Sequence, residues 1–420
     1  MKSRKTAILS VVFFAVLVLS SLAGALSIGQ IPARNGPVTP SEATLVAQKH
    51  LHGASEHIPN FEDWKNSKLS RPVVYYFPNG TKSAYEFTVL VNGKPDGFIL
   101  VAAQRYMPPI LEFGKGEAPS TRIHYAQKVA MNKGYKVGNL IYYGALTYGL
   151  QIGSNKMLSL VDRKVQNVPK NIKFHFRKST SIAENEILKP TTSRSSVFPL
   201  EDGGSDEHLV SVVRSIQGVP AWTSTDKGGA STQYPFNVGS ARDPWIDWDG
   251  CAAVAASMII AYYEPQLKDE WDREAVIDVL HHTMGIDDNT GGSVWTTQVV
   301  GIENFKEEWD YLRGWIVYKP VYHDFTATFY EYWTDMDVIS EVNNNHPFML
   351  GLENGGRASD GTGPYGNHAV TGVGYIAACS EDYSNCELVY IEIHDTWNFE
   401  THYIYNGNWI DADIIKVRAS

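Results

Sequence analysis

The stretch that decides the fold is DWDGCAAVAASMIIAYYEP, residues 247–265. Cys251 follows Gly250 and opens a run of small and apolar residues that ends before Pro265. This pattern predicts a buried helix that begins at the cysteine, because alanine and methionine favour helix and proline ends it. A thiol at a helix N-terminus lies at the positive end of the helix dipole, which stabilises a thiolate. Cys251 is therefore either a nucleophile or a small buried core residue, and this segment alone leaves both interpretations open.

A thiol nucleophile needs a base, and the base needs a group that orients it. GTGPYGNHAVTGVGY, residues 361–375, carries His368 at the head of an apolar, strand-like run. LVYIEIHDTWN, residues 388–398, ends a second such run with Asp395, and Trp397 follows. If the two strands are antiparallel neighbours, His368 and Asp395 lie near the same end of the pair. There the carboxylate can fix the imidazole tautomer, and Trp397 can shield the hydrogen bond from water.

The order of these segments resembles papain-like cysteine peptidases, in which the cysteine at a helix start is followed by histidine and then by Asn or Asp before an aromatic residue. DGCAAVAASMIIAYYEP is most similar to the streptopain-like group and its bacteriocin-leader-processing relatives. HAVTGVGY matches their histidine strand, EVNNNHPFMLGL resembles the segment before it, and the match spans most of residues 220–415. The resemblance implies an α+β fold with the cysteine helix packed on an antiparallel sheet, and a triad of Cys251, His368 and Asp395.

The resemblance also implies roles for residues around this triad. Papain-like enzymes pair the cysteine N–H with a glutamine side chain to bind the oxyanion, and Gln233 in STQYPFN is the candidate. Gly250, Asn367 and Trp397 are candidates for lining the substrate cleft. Residues 252–254 depart from the family pattern, since many relatives have Gly-Pro-Thr or Val-Ala-Thr where this chain has Ala-Ala-Val.

The N-terminal part of the chain reads as a small α+β domain. Residues 38–52 predict a helix capped by Thr39 or Ser41. Three strand-like runs follow: 72–78, 84–91 and 97–103. YEFTVLVNGKPDGFILVAAQRYMPPILEFGKGEAPS, residues 85–120, resembles the end of the inhibitory propeptide of streptopain-like peptidases. The resemblance implies that this domain acts as an intramolecular inhibitor of the catalytic domain.

The segment between these two regions is harder to interpret. We predict a helix over residues 125–151, YAQKVAMNKGYKVGNLIYYGALTYGLQ, and a strand over residues 169–180, PKNIKFHFRKST. KPTTSRSSVFPLEDGGSDE, residues 189–207, is rich in turn residues and marks a boundary that is open to proteolytic nicking. We therefore predict a basic propeptide-like domain and linker over 26–195 and an acidic papain-like catalytic domain over 196–420.

Residues 1–25 have the pattern of a secretory signal peptide. A basic start precedes an apolar run over residues 7–22, and Ala23-Gly24-Ala25 supplies a small-residue cleavage pattern. An uncleaved anchor helix is the alternative, although the run is short for a membrane span. No later stretch is apolar and long enough to cross a bilayer. The prediction is a protein that is extracellular or in the cell envelope, with no stable membrane span after removal of the signal.

Export changes how the three cysteines are interpreted, because disulfides persist in oxidising compartments. Cys379 and Cys386 flank the polar turn SEDYSN between two strand-like runs. A disulfide there would contribute roughly 2–3 kcal/mol, and Cys251 would then be the odd thiol. Three unpaired cysteines are the alternative. Asn79-Gly80-Thr81 is a glycosylation sequon on a predicted exposed turn.

The charge is distributed unevenly along the 420 residues. Residues 1–195, the N-terminal half, carry 25 basic and 11 acidic side chains, whereas residues 196–420, the C-terminal half, carry 11 basic and 35 acidic ones. Opposite charges favour docking of one half on the other, although each half could simply be solvated. The basic half has no nucleic-acid recognition motif, so no nucleic-acid partner is expected. Metal-ligand spacings are also missing, and we expect no cofactor or metal. Calcium bound by Asp287, Asp288 or Asp360 in their Gly-rich loops is the alternative.

These observations predict a secreted cysteine endopeptidase that is made as a zymogen and hydrolyses protein or peptide substrates. Two alternatives stay open. One is a papain-like scaffold without catalytic turnover that binds peptide or cell-wall material at the cell surface. The other is an amidase or transpeptidase that uses the same triad.

Overall fold

A computed structural model describes residues 36–161, 164–169, 172, 209–223, 250–288, 291–313, 319–353 and 367–420. The predicted signal peptide, Gln233 and the predicted boundary over 189–207 lie outside these residues, as does most of the strand predicted over 169–180. Residues Pro37–Ser420 form one compact unit. The predicted division into two domains at residue 195 therefore stays a prediction.

The chain folds into a mixed α+β structure. Seven helices occur in the described residues: α1 (Pro40–His57), α2 (Ile123–Asn132), α3 (Cys251–Tyr263), α4 (Glu270–Thr283), α5 (Trp295–Glu303), α6 (Phe305–Arg313) and α7 (Asp335–Asn343). Three short 3₁₀ segments, Glu62–Asn66, Pro119–Arg122 and Pro265–Leu267, join some of these elements. Within the described part of the chain, no helix combines the length and the apolar character of a membrane span.

Sixteen strands within the described ranges form one large sheet. They are β1 (Lys68–Leu69), β2 (Val73–Tyr76), β3 (Lys82–Val91), β4 (Lys94–Ala102), β5 (Ile110–Lys115), β6 (Leu140–Tyr142), β7 (Tyr148–Gly153), β8 (Lys156–Ser159), β9 (Val165–Asn167), β10 (Leu209–Ser215), β11 (Phe325–Tyr330), β12 (Phe348–Glu353), β13 (Asn367–Ser380), β14 (Cys386–His394), β15 (Thr401–Tyr405) and β16 (Ala412–Ala419). Their order is β11-β16-β12-β13-β14-β15-β5-β4-β3-β2-β6-β7-β8-β9, with β1 beside β3 and β10 beside β13. The pair β2–β6 is parallel and the other neighbours are antiparallel.

The first helix begins where the sequence predicts it. Thr39 is the N-cap of α1, and its side chain and that of Glu42 form a reciprocal capping box. Thr39 rather than Ser41 takes this position because an acidic residue stands three places after it. The predicted strands correspond to β2, β3 and β4. The helix predicted over 125–151 is wrong beyond Asn132, because the Tyr- and Leu-rich remainder forms β6 and β7 instead.

The two halves of the chain share this sheet. Strand β15 of the C-terminal half pairs directly with β5 of the N-terminal half, through Tyr403 opposite Phe113 and Ile404 opposite Glu112. Asn408 adds polar contacts, because its Nδ2 donates to Leu111 O at 3.3 Å. The backbone groups at the edge of β15 are therefore satisfied by the N-terminal half.

The predicted disulfide is present. Cys379 and Cys386 stand directly opposite each other in the β13–β14 ladder and are covalently joined. The turn between them is closed by Ser380 and Asp382, whose carboxylate accepts hydrogen bonds from Ser380 Oγ and Ser384 N. The cross-link fixes the far end of the hairpin whose other end carries His368 and Asp395.

Candidate active site

Cys251 is the first residue of α3, as its sequence context predicts. Gly250 precedes it with φ +91°, a conformation that L-residues rarely adopt. A Cβ at Gly250 would lie 2.9 Å from two side-chain carbons of Ile286 and 3.1 Å from the carbonyl oxygen of Gly291. Residues 252–261 are buried, whereas Cys251 is only partly so. The glycine thus allows the chain to turn sharply and present the sulfur at the edge of a buried helix.

The strand β13 brings His368 to this sulfur. Ala369 N donates to Cys251 Sγ at 3.4 Å, and Thr371 Oγ1 donates to Ala255 O at 2.8 Å. The second bond is buried and links α3 to β13, so the start of the helix is held against the start of the strand. His368, which is 117 positions from Cys251 in the sequence, lies close enough to lower the pKa of the Cys251 thiol.

Cys251 and His368 each stabilise the charged form of the other. Burial alone would raise the pKa of the Cys251 thiol, but the positive charge of His368, its hydrogen bond and the Ala369 N–H lower that pKa below its ordinary value. Burial alone would lower the pKa of His368, but the Cys251 thiolate and the acceptor oxygen of Asp395 raise it above its ordinary value. Opposite shifts of this kind stabilise a thiolate–imidazolium pair.

The far side of the imidazole is held by the turn that follows β14. Its Nε2 lies 2.9 Å from the backbone carbonyl oxygen of Asp395 and 3.1 Å from Thr396 Oγ1. A carbonyl oxygen can only accept, so Nε2 carries the proton and Nδ1 is left for the sulfur. The Trp397 ring stacks on the imidazole, with centroids 4.1 Å apart and planes 26° from parallel. The ring therefore lies where the sequence predicts it, and its shielding role stays a prediction.

The sequence predicts that the Asp395 carboxylate contacts His368, but the backbone carbonyl oxygen of Asp395 takes that place. The carboxylate instead accepts from Trp397 N at 2.9 Å and Asn398 N at 3.1 Å. Thr396 lies between Asp395 and Trp397 in the chain and has φ +65°, which is unusual for a β-branched residue. This tight turn aims the backbone carbonyl of Asp395 at His368 and rotates the carboxylate away from it. Backbone strain of this kind persists only when surrounding contacts impose it.

Two residues that sequence reasoning missed lie behind Asp395. His402 Nδ1 is 3.5 Å from Asp395 Oδ2, and His402 Nε2 is 2.9 Å from Glu112 Oε2. The second contact is a close ion pair outside good hydrogen-bond geometry. Burial would lower the pKa of His402, but Asp395 and Glu112 outweigh it and raise that pKa to about 9. The alternation of β15 was the only local signal for an inward-facing His402.

The other predicted site residues have mixed outcomes. Gly250 adjoins the sulfur, and Asn367 begins β13, next to His368. Gln233 lies outside the described residues, so its oxyanion role stays a prediction. Asn79 is exposed in the β2–β3 turn, where its Oδ1 accepts from Thr81 Oγ1 at 2.7 Å. Glycosylation there also stays a prediction.

Comparison with known proteins adds no assignment. The chain matches no family model and no curated protein. Among the residues that the structure describes, no cluster of three or more His, Cys, Asp and Glu side chains could hold a metal ion.

Proposed function

We propose that this chain is a papain-like cysteine peptidase. The observation that carries the proposal is Cys251 at the start of α3 next to His368, with Ala369 N donating to the sulfur and Asp395 O accepting from His368 Nε2. The charges of the two groups lower the pKa of the thiol and raise that of the imidazole. A thiolate at a helix start, an imidazole with one nitrogen on the sulfur, and an acceptor on the other nitrogen are the parts that thiol acyl transfer needs. The packing of α3 on β13 agrees with the helix-on-sheet arrangement that the resemblance implies.

The reaction follows from these positions. The Cys251 thiolate attacks the carbonyl carbon of a peptide bond, and the electron pair of the carbonyl moves to its oxygen. His368 then gives its Nδ1 proton to the leaving amine nitrogen as the C–N bond breaks, which leaves a thioester on Cys251. Water attacks the thioester, His368 takes a proton from that water, and the thiolate returns as the carboxylic acid departs. Asp395 O and Thr396 Oγ1 keep Nε2 oriented throughout.

The proposal includes synthesis as an inhibited precursor. Lys164, in the N-terminal half, contributes to lowering the pKa of the Cys251 thiol. Lys164 stands directly before β9, and its charge is the smallest of the named contributions that lower this pKa. A positive charge of the N-terminal half that acts on the nucleophile is in keeping with inhibition by that half. The disulfide between Cys379 and Cys386 supports export to an oxidising compartment.

Thiol labelling tests the proposal. Iodoacetamide at pH 6 should alkylate Cys251 at least tenfold faster than the same chain unfolded in urea, because only the folded site holds a thiolate at that pH. Cys251→Ala should abolish both the labelling and the cleavage of a denatured protein substrate. Cys251→Ser is the matched variant that keeps the shape of the side chain.

The outcomes separate the candidate functions. Fast labelling without cleavage of any peptide, with or without added amine acceptors, would favour the binding-protein alternative. Fast labelling with transfer to an added amine would favour a transpeptidase. Labelling no faster than in the unfolded chain would refute the proposal.

A further inference from the structure

A buried acid–histidine–acid chain crosses from the N-terminal half into the proposed active site. Its members are Glu112 on β5, His402 on β15 and Asp395 after β14. All three side chains are at least nine-tenths buried: Glu112 is 0% exposed, His402 3% and Asp395 3%. Buried ionisable groups are costly unless they are paired. The inference below rests on the proposed peptidase function.

Glu112 is held rigidly by its own half of the chain. Its Oε1 accepts from Tyr142 Oη at 2.6 Å and from Leu146 N at 3.2 Å, and its Oε2 accepts from Tyr148 Oη at 2.5 Å. Three donors fix the carboxylate before it meets His402. Glu112 is therefore a preorganised anion that the N-terminal half presents to the C-terminal half.

The sheet leaves room for His402 to reach this carboxylate. Gly114 stands directly opposite His402 in the β5–β15 ladder, and Phe98 stands opposite Gly114 in β4. Because Gly114 has no side chain, the Phe98 ring meets the imidazole edge-on, with centroids 5.1 Å apart. The imidazole thus has an apolar wall on one side and carboxylates at both nitrogens.

His402 links Glu112 to the turn after β14, because it also contacts the Asp395 carboxylate. One carboxylate oxygen of Asp395 accepts from the backbone at Trp397 and Asn398, and the other faces His402 Nδ1 and accepts from Asn398 Nδ2 at 2.8 Å. These contacts fix the strained turn at Thr396. The same turn directs the Asp395 carbonyl and the Thr396 hydroxyl at His368 Nε2.

We infer that Glu112 and His402 are positioning residues of the active site, so that the N-terminal half is a lasting component of the enzyme and not only its inhibitor. Without Glu112, His402 would keep a buried charge with one partner instead of two. The contact between His402 and Asp395 would weaken, and with it one of the restraints on the turn that holds the acceptor of His368 in place. A cysteine peptidase with this construction needs its N-terminal half in place after any cleavage of the linker.

The test compares two buried carboxylates of the N-terminal half. Glu112→Gln removes the carboxylate behind His402, whereas Glu86→Gln replaces a matched buried carboxyl group on β3 that contacts Tyr75 and Ser120 instead. The assay is the rate of Cys251 alkylation by iodoacetamide in the full-length chain between pH 4 and pH 9. A purely structural change would lower stability in both variants without moving this profile.

We expect Glu112→Gln to shift the acid limb of the pH–rate profile to higher pH by about 0.5–1 pH unit. Alkylation of Cys251 at pH 5 then becomes about three- to tenfold slower. Glu86→Gln should keep the wild-type profile, and Glu112→Asp should restore most of it. His402→Gln gives a second route to the same comparison if Glu112→Gln does not fold.

Two failures can be told apart. If wild-type Cys251 reacts no faster than an unfolded thiol, the peptidase proposal falls and this inference falls with it. If wild-type Cys251 is reactive but Glu112→Gln and His402→Gln both keep the wild-type profile, the positioning role alone is refuted.

Discussion

Gly250→Ala is the substitution that most directly tests how the nucleophile is presented. The new methyl group would meet Ile286 at 2.9 Å and the Gly291 carbonyl oxygen at 3.1 Å, while the backbone stays at φ +91°. Gly218 offers a matched control, since it has φ +86° but nothing within 4 Å of its ideal Cβ. Both alanine variants pay the same backbone penalty, and only one adds a steric clash.

The magnitude follows from these two contributions. Forcing an L-residue into a left-handed conformation costs about 1–2 kcal/mol at either position. Overpacking against Ile286 adds about 1–3 kcal/mol at Gly250 alone. We therefore expect Gly250→Ala to lower the free energy of unfolding by about 1–3 kcal/mol more than Gly218→Ala does.

Urea denaturation followed by tryptophan fluorescence measures this difference, and alkylation of Cys251 measures its consequence for the site. The clash should also shift the start of α3 and slow alkylation in Gly250→Ala only. Equal destabilisation of the two variants, to within about 0.5 kcal/mol, would refute the argument that the space around Gly250 positions the sulfur.

Three further predictions concern the same region. Trp397→Ala should lower kcat/KM about tenfold in a peptide-cleavage assay by opening His368 to water, whereas Trp397→Phe should keep most of the activity. Replacing Cys379 and Cys386 together by alanine should lower the free energy of unfolding by about 2 kcal/mol, measured in urea, and by less if the hairpin persists in the unfolded chain. The raised pKa of His402, about 9, means that its stabilising contribution is complete below its unfolded pKa of about 6.5 and is lost as the pH rises through 9. Urea titrations should therefore show stability falling between pH 7 and pH 10, and a flatter pH dependence in His402→Gln would support this assignment while an unchanged one would contradict it.

Local sequence signals were sufficient for the elements that carry the thiol and the imidazole. The run of small residues after Cys251 and the stop at Pro265 define α3, and the cysteine spacing defines the β13–β14 hairpin. In both cases the deciding contacts are close in sequence, so periodicity and turn chemistry contain the information.

The predicted helix over 125–151 is wrong beyond Asn132 for the opposite reason. Tyr142 on β6 and Tyr148 on β7 donate their hydroxyls to Glu112 on β5, which neighbours neither strand in the sheet order. Tyrosine and leucine tolerate helix or strand locally, and the buried carboxylate selects the strand. The contact between Glu112 and His402 is equally invisible from the sequence, since 290 positions separate them.

Asp395 adjoins His368, but through its backbone carbonyl oxygen and not through the carboxylate that the sequence suggests. A carboxylate after a strand suggests a side-chain acceptor, yet the positive φ of Thr396 makes the Asp395 carbonyl the acceptor instead. A single backbone torsion decides this, and no residue-type pattern predicts a left-handed threonine. The Asp395 side chain then serves the turn and His402.

The opposite charges of the two halves predict docking that weakens with salt, but the described contacts argue for docking that resists salt. The halves join through the β5–β15 ladder and through Asn408, whose Nδ2 donates to Tyr142 Oη at 2.7 Å. The buried ion pair between them has reversed polarity, because Glu112 comes from the basic half and His402 from the acidic one.

Cleavage of the full-length chain at a protease site added within residues 189–207 shows whether surface charge or the shared sheet holds the two halves together. At 1 M NaCl the Debye length is about 3 Å, so attraction between exposed charges is screened while buried hydrogen bonds are not. We expect the two fragments to elute together in gel filtration at 1 M NaCl and Cys251 to keep its alkylation rate. Fragments that separate at 1 M NaCl but not at 0.05 M NaCl would mean that surface charge, and not the shared sheet, holds the N-terminal half in place.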